Sequence, residues 1–556
     1  MKNKILLTLI LLGVILFVAM RSPTEQTILW HNATVITLND NQPRANSLLT
    51  HGKDIVAVGD FNDLQAQASS NVLLVDLEGK TVIPGFVDAH SHFPGSGMSR
   101  FSEDLQAPPV GTVTQLPTLL ERLKRRADNT PKGEWVSGFG YDQLLLEEKR
   151  HPTIAELDQV SRDHPIFIMH ISGHLGIANS KALELIAADT GQHWDEKVLQ
   201  TGRLEEDEAT PFQRAMFDLG VFEFLDMVET AEKEYSRAGV TTLQSSNIDE
   251  KYLAGLKLAK WLGKIPQRII TLPNFDPMGI DLIEGRLKAS EVSSEDIHIG
   301  AIKLIADGSI QGYTAYLSQP YFHNHNHSSH YRGYPRIPAD DLDEKVFNIV
   351  NAGFQVAIHA NGDASINDAL NAIERAEIRA GKKAFRPIII HAQMTTPAQL
   401  ARMKALGVTP SFFGAHTYYW GDQHRDMTLG FARASAISPM RSALDMGLRF
   451  TNHLDTPVVP MSPMLAWWTS VDRSTQSGFV LGPNEQLTPL QGLRALTIDA
   501  AWQSGLEDIV GSLVVGKMAD FVVLSANPID TATAIKDIQI LRTVAGGKTI
   551  YLNDAL

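Results

Sequence analysis

The chain has 556 residues, 44% of them hydrophobic and 20% charged, a balance that builds an apolar core and excludes a disordered protein. A formal net charge of −14 without a basic stripe argues against a nucleic-acid partner, because phosphate recognition needs clustered Lys and Arg. The absence of cysteine excludes disulfides, a lipid-anchored lipobox and thiol catalysis.

The first residues read as an address. Lys2 and Lys4 precede an apolar run from Ile5 to Met20 whose only polar side chain is Thr8, and Arg21 closes it. Residues 1–26 are expected to be a signal peptide or an uncleaved N-terminal anchor, placing the protein in the periplasm or on the outer face of the inner membrane. Short β segments follow at 33–38, 47–50, 54–59 and 72–76, and segments of the same texture return at 511–524 and 538–551. Segments 27–84 and 504–556 are therefore expected to pair into one β domain built from both chain ends.

Between them, apolar strands alternate with helical stretches. Strands are predicted at 165–169, 240–243, 269–272, 297–305, 355–358, 387–390, 408–411 and 448–451, and helices at 339–352, 363–380 and 397–406. Repeated βα units with buried strands predict an α/β fold with a parallel sheet, and their number suits a TIM barrel over 85–503. Residues 93–235 carry more turns and charges than a barrel unit needs and are read as an insertion.

The polar residues that end these strands carry the chemistry. In TVIPGFVDAHSHF (81–93), His90 and His92 stand two apart, so in an extended chain both face one point. With 19 histidines in the chain, that pair alone carries little weight. Lys303 interrupts the apolar strand 297–305 just before Asp307-Gly308-Ser309; a buried ammonium must be paired, shifted in pKa or chemically masked. His359 ends one strand in IHANGD, His391 ends another in IHAQ, and Asp455 follows a third in TNHLDTPV. All C-terminal strand ends of a barrel face one mouth, where these six residues would converge. Several imidazoles, a carboxylate and an anionic bridge suit a pair of divalent cations, and Lys303 can bridge only as a carbamate formed with carbon dioxide. The plainer alternatives are an ion pair between Lys303 and Asp307, core roles for His359 and His391, and a turn cap for Asp455.

Weaker candidates surround this set. His170 and His174 in IMHISGHLGIANS are placed to contact substrate or stabilise an oxyanion, with packing or capping as the alternative; Arg203 in TGRLEEDEA suits a substrate carboxylate or a solvated ion pair. The run His323-Asn324-His325-Asn326-His327 reads as a solvated loop, and Phe412-Phe413, Tyr418-Tyr419-Trp420 and Trp467-Trp468 as pocket lining or core.

Seven motifs in order, VIPGFVDAHSH (82–92), GHLGIANSKAL (173–183), KLIADGSIQGYTAYL (303–317), IHANGDASINDAL (358–370), IIHAQ (389–393), LDTPV (454–458) and GSLVVGKMADFVVL (511–524), resemble the metal-dependent amidohydrolase superfamily. Within it they resemble the amidohydrolase-3 branch, which includes N-substituted formamide deformylase-like and YtcJ-like proteins. The resemblance implies a (β/α)8 barrel with a composite β-sandwich domain. It also implies a pair of zinc ions held by His90, His92, His359, His391 and Asp455, bridged by carboxylated Lys303, with Asp455 as general base toward the attacking water. The implied reaction is hydrolysis of a non-peptide carbon–nitrogen bond in a small amide-like molecule, such as an N-substituted formamide or N-acyl compound. A cyclic amide or ester on the same centre and a non-catalytic metal-binding regulator are the alternatives. One departure is the lead-in Asn452-His453-Leu454, where relatives often carry a small residue such as Ser. Nothing in the chain specifies assembly, and a homo-oligomer is compatible with it.

Overall fold

Strands from the two chain ends meet in one sheet. In the computed structural model, which describes residues 26–68, 70–216, 218–323, 328–530 and 532–553, strand Phe521–Leu524 pairs antiparallel with Thr81–Pro84, register Phe521↔Pro84 and Leu524↔Thr81. Thr34–Ile36 and Arg44–Ala45 extend that sheet on one side, and Ile540–Ala545 and Lys548–Leu552 on the other. A second sheet orders Asp54–Gly59, Ser47–His51, Thr27–His31 and Leu73–Asp76. Trp30 and Leu48 of the second sheet share one apolar cluster with Val35, Val82, Phe521 and Val544 of the first, and the Trp30 ring meets Phe521 edge-on at 5.1 Å. The expected signal or anchor lies outside the described residues except for Gln26. Among the described residues no helix is long and apolar enough to cross a membrane.

The middle of the chain builds two wholly parallel sheets. One orders Phe86–Val87, Val240–Ile248, Arg268–Pro273 and Ile297–Ile299; the other orders Ile302–Ile305, Val356–Ala360, Ile388–His391, Thr409–Phe412 and Thr451–Asn452. Arg268–Pro273, Val356–Ala360 and Ile388–His391 are buried at every position, as strands covered on both faces must be. On one face Ile302, Leu304, Val356, Ile358 and Ile389 pack against Val346 and Ile349 of helix Ala339–Ala352 and Ile366 and Leu370 of helix Asp363–Ala380. On the other, Val87, Ile270 and Leu272 share a cluster with Ala357, Ile388 and Ile390, so side chains of both parallel sheets meet in one interior.

Local chemistry explains where the chain turns. Helix Pro397–Leu406 starts at Thr396, whose hydroxyl accepts from Gln399 N–H at 3.3 Å while Gln399 Oε1 accepts from Thr396 N–H at 2.9 Å, and it stops at Gly407, with φ 67°. Proline at its first position has no N–H to leave unpaired.

One predicted strand sits elsewhere. Ile166–His170, expected at 165–169 among the βα repeats, belongs to a separate mixed sheet ordered Arg203–Glu205, Leu175–Ala178, Ile166–His170, Val136–Tyr141 and Glu103–Asp104. After His170 the chain does not enter a helix but returns antiparallel as Leu175–Ala178 through a tight turn, closed by Gly173 N–H to His170 O at 2.9 Å with Gly173 at φ 74°. Phe86–Val87, which follows Pro84-Gly85, pairs beside Val240–Ile248.

A buried ion pair joins the parallel strands to the sheet of both ends. Arg268 Nη1 lies 3.2 Å from Asp520 Oδ2, with 6% and 3% of the side chains exposed. Asp520 Oδ1 accepts from Gly546 N–H at 2.6 Å, and its carbonyl accepts from Gly85 N–H at 2.9 Å. Burial raises the Asp520 carboxyl above its ordinary pKa, against the opposing charge of Arg268. Asp520→Ala, which strands the guanidinium without a counter-charge, is expected to cost about 3–5 kcal/mol in chemical denaturation.

Candidate metal centre

The site starts where Phe86–Val87 ends. Asp88 accepts from His90 N–H at 3.2 Å and from Gln244 N–H at 3.1 Å and takes the Ser91 hydroxyl, which coils 88–92 against strand Val240–Ile248. Burial pushes the Asp88 carboxyl up to about 6. Gln244 then fixes the His90 ring. Its Nε2 donates to Ala89 O at 2.9 Å, so its Oε1, 2.9 Å from His90 Nδ1, faces the ring as an acceptor. Nδ1 therefore carries the hydrogen, and Nε2 presents a lone pair to the site.

Asp455 meets that lone pair. Its Oδ1 lies 3.3 Å from Nε2 of His90 and 3.3 Å from Nε2 of His92, and it has no hydrogen-bond partner although buried. The backbone is held there at φ 57°, a left-handed conformation unusual for an aspartate and characteristic of functional sites. Asp455 N–H donates to His90 O at 3.2 Å and His92 N–H to Thr456 O at 2.8 Å. Burial acts to raise the Asp455 pKa, but the approach of His92, with His453 and Lys303, holds it below the ordinary carboxylate value.

His391 and His359 complete the arrangement. His391, at φ 71°, places Nε2 3.9 Å from Asp455 Oδ2 and 2.9 Å from His359 Nδ1; its Nδ1 is buried without a partner. His359 Nε2 lies 3.1 Å from the Gly308 carbonyl. Burial, with neighbouring histidines and Lys303, holds His90, His359 and His391 well below their ordinary pKa, so their rings are neutral, as metal ligation requires.

Lys303 is 3% exposed with Nζ 3.4 Å from His90 Nε2. Burial lowers its pKa to about 7. Among the described residues no carboxylate lies within ion-pair distance of it. The alternative partner Asp307 instead accepts N–H from Asn361 at 2.9 Å, Gly362 at 2.9 Å and Tyr316 at 3.0 Å, and burial pushes that carboxyl up to about 7.

These residues fit a divalent cation. His90, His92 and Asp455 bring their ligand atoms within 4.8 Å of one another, an orphaned buried carboxylate oxygen faces two imidazole nitrogens, and a buried amine stands beside them.

The weaker candidates divide. His174 comes to the centre, its ring 4.8 Å from that of His359. His170 is fully buried with Nδ1 2.8 Å from Ser172 Oγ and Nε2 3.7 Å from Asp142 Oδ1, and Asp142 Oδ2 accepts from Trp420 Nε1 at 2.9 Å. Arg203 Nε lies 2.8 Å from Glu205 Oε1, the ion-pair alternative. Of the histidine-rich run, residues 324–327 lie outside the described residues, and His323 stands exposed beside Phe322. Trp467 is core, donating to Pro489 O at 2.7 Å, whereas Phe413 lies against His391 and His453, with ring centres at 6.1 and 5.1 Å.

Sequence reading missed Gln244, whose only signal was a glutamine inside an apolar strand. It also passed over His453 as a mere departure; its ring centre lies 5.2 Å from that of His90 and 5.1 Å from that of His391. A cleft of about 1190 Å³ between helices Ser180–Thr190, Val221–Arg237 and Glu250–Trp261 contains none of these donors.

Residues 73–551 match the amidohydrolase family (Amidohydro_3), and the chain belongs to that family. It is similar to the N-substituted formamide deformylase of Arthrobacter pascens, 28% identical over 537 residues that cover 94% of this chain and 97% of that protein. It is 25% identical to YtcJ of Bacillus subtilis, over 94% of this chain and 99% of that one. Among solved structures, an uncharacterized metal-dependent hydrolase from Pyrococcus horikoshii superimposes with a TM-score of 0.73 at 25% identity, over 92% of this chain and 99% of the other. The protein is an amidohydrolase with an α/β fold of mixed sheets.

Replacing Gln244 by Leu removes the acceptor that fixes the His90 tautomer. Metal affinity, measured by competition with a chromogenic chelator, is expected to fall about 10–100-fold with the fold intact.

Proposed function

We propose that this amidohydrolase cleaves the carbon–nitrogen bond of a small, non-peptide amide, with an N-substituted formamide or N-acyl compound as substrate. The observation that carries this reading is the convergence of His90, His92 and Asp455 beside the buried Lys303 amine, which among the described residues has no carboxylate within ion-pair distance. The formamide deformylase relative supports the choice of substrate.

The reading takes the two parallel sheets as one (β/α)8 barrel. Counting 297–305 as a single strand interrupted at Gly300, they supply eight parallel strands, and their inward side chains share one cluster. Residues 85–503 form this barrel, with an insertion at about 93–235, and 27–84 with 504–556 form a composite β-sandwich domain. Export, with the 1–26 segment cleaved or kept as an anchor, rests on the apolar run 5–20.

In this reading His90, His92, His359, His391 and Asp455 would hold a pair of zinc ions, together with Lys303 as a carbamate. To form it, the neutral amine adds to carbon dioxide, an N–C bond forms and one proton leaves. Burial that lowers the Lys303 pKa to about 7 supports this, because only the unprotonated amine reacts. Divalent metal bound there supplies an acidified water and a Lewis acid for the scissile carbonyl. The Asp455 carboxylate takes the proton of the attacking water and returns it to the leaving nitrogen.

Metal analysis of the purified protein is expected to give close to two divalent ions per chain; none after zinc reconstitution would reject the hydrolase reading. Asp455→Asn is expected to keep the fold and slow turnover of a formamide by about 10²–10⁴-fold. Lys303→Ala is expected to lose most of its metal and activity and to regain part of both when short-chain carboxylates are added. Wild-type metal content in that variant would exclude the bridge.

A further inference from the structure

Helix Val221–Arg237 runs beside the metal centre and supplies none of its donors. Met227, Ala231 and Tyr235, spaced four apart on one face of it, are fully buried. Gly97, in the chain that leaves His92, lies directly on this helix: a Cβ there would come within 2.0 Å of the Met227 carbonyl oxygen. Two turns further on, Tyr235 brings its phenol between the two segments that carry the donors. Its hydroxyl donates to Ser91 Oγ at 2.9 Å, and its ring meets Phe93 edge-on at 5.2 Å. Ser91 stands between His90 and His92 and gives its own hydrogen to the Asp88 carboxylate. On the other side the Thr456 hydroxyl, next to Asp455, faces the same phenol. Thr456 Oγ1 is buried and has no other partner among the described residues. Glu234 adds a second tie from the same helix, its Oε1 accepting from Met461 N–H at 2.8 Å in the chain that follows Asp455.

Burial, with the charge of Asp88, holds the Tyr235 phenol well above its ordinary pKa, so it stays protonated and remains a donor. We propose that Tyr235 is a positioning residue of the metal centre, whose hydroxyl holds the segment of His90 and His92 and the segment of Asp455 at the separation a bound cation requires. Two backbone bonds already bring these segments together, Asp455 N–H to His90 O and His92 N–H to Thr456 O. The phenol adds what those bonds lack, a tie from both segments to one packed helix, and donors held by such supports keep a defined geometry. Tyr235 acts through Ser91 and Thr456 and not on the cation itself. The proposal rests on the metal-binding part of the reading above and is independent of the substrate.

The test is Tyr235→Phe in the full-length protein, which deletes one oxygen and keeps the ring. Zinc affinity, measured by chelator competition, is expected to fall about tenfold. The visible spectrum of the cobalt-loaded variant, which reports ligand geometry, is expected to differ from that of the wild type. Thr456→Val removes the facing hydroxyl at nearly constant shape and should change the cobalt spectrum in the same direction, and the double variant should bind zinc little worse than either single one. A Tyr235→Phe protein that is destabilised toward denaturant but keeps wild-type zinc affinity and cobalt spectrum would overturn the proposal, because a purely structural tyrosine behaves that way. Should Tyr235→Phe not fold, Thr456→Val decides alone, and wild-type affinity and spectrum in it reject the proposal. A wild type that takes up neither zinc nor cobalt would overturn the metal-centre reading and the proposal together.

Discussion

The structure depends on how the Asp455 carboxylate is buried. An unpaired carboxylate in an apolar interior is costly, and this one faces Nε2 of His90 and of His92, each 3.3 Å from a single oxygen, an arrangement that a cation held between them would stabilise. The same contact joins distant parts of the chain. Phe86–Val87 and Thr451–Asn452 are the outermost strands of the two parallel sheets, and no strand pairing links them among the described residues. The site links them, through Asp455 N–H to His90 O and His92 N–H to Thr456 O, together with Gln503, whose side chain accepts from Thr451 Oγ1 at 2.7 Å and donates to Ala89 O at 3.0 Å. Assembling the donors and bringing the edge strands together are therefore coupled. That coupling explains why the left-handed backbone at Asp455 and His391 persists.

A second buried charge system lies at the opposite ends of the strands. Arg268 opens its strand, whereas His391 closes its own, so the Arg268–Asp520 pair and the metal donors mark opposite poles. Between the poles the strands present Ile270, Leu272, Ile388 and Ile390 to the interior. Ion pairs in such a place add little net stability over apolar residues, but removing one partner strands the other. Their effect is to fix register. One pole fastens the parallel strands to the sheet of both chain ends, and the other holds the reactive geometry.

Much of this was legible before any coordinates, for a physical reason. His90, His92, His359, His391 and Asp455 each follow an apolar run, and parallel strands must expose their carboxyl ends together, so local pattern sufficed. Lys303 announced itself by cost, since an ammonium inside an apolar strand demands an explanation. What stayed hidden depends on contacts between distant segments. Ile166–His170 has the same apolar texture as the parallel strands, and only the antiparallel return after Gly173 separates it from them. Gln244 is chemically silent until its amide is seen spanning Ala89 O and the His90 ring.

His453 shows how a departure from a family's pattern acquires physical meaning. A small residue before the aspartate would leave space between the rings of His90 and His391; His453 fills it, and its N–H to Phe412 O at 2.9 Å anchors it to the neighbouring strand. Burial pushes its imidazole down to about 3, so it packs there as a neutral ring and adds no positive charge to a cluster that must accept cations. Phe413 stacks behind both His453 and His391. The other side is supported by His174, which packs on His359. The imidazoles of His90, His391 and His359 are thus held by rings on both flanks. Their positions are set by packing as well as by the atoms they share, and rigid donors are what a defined coordination geometry requires.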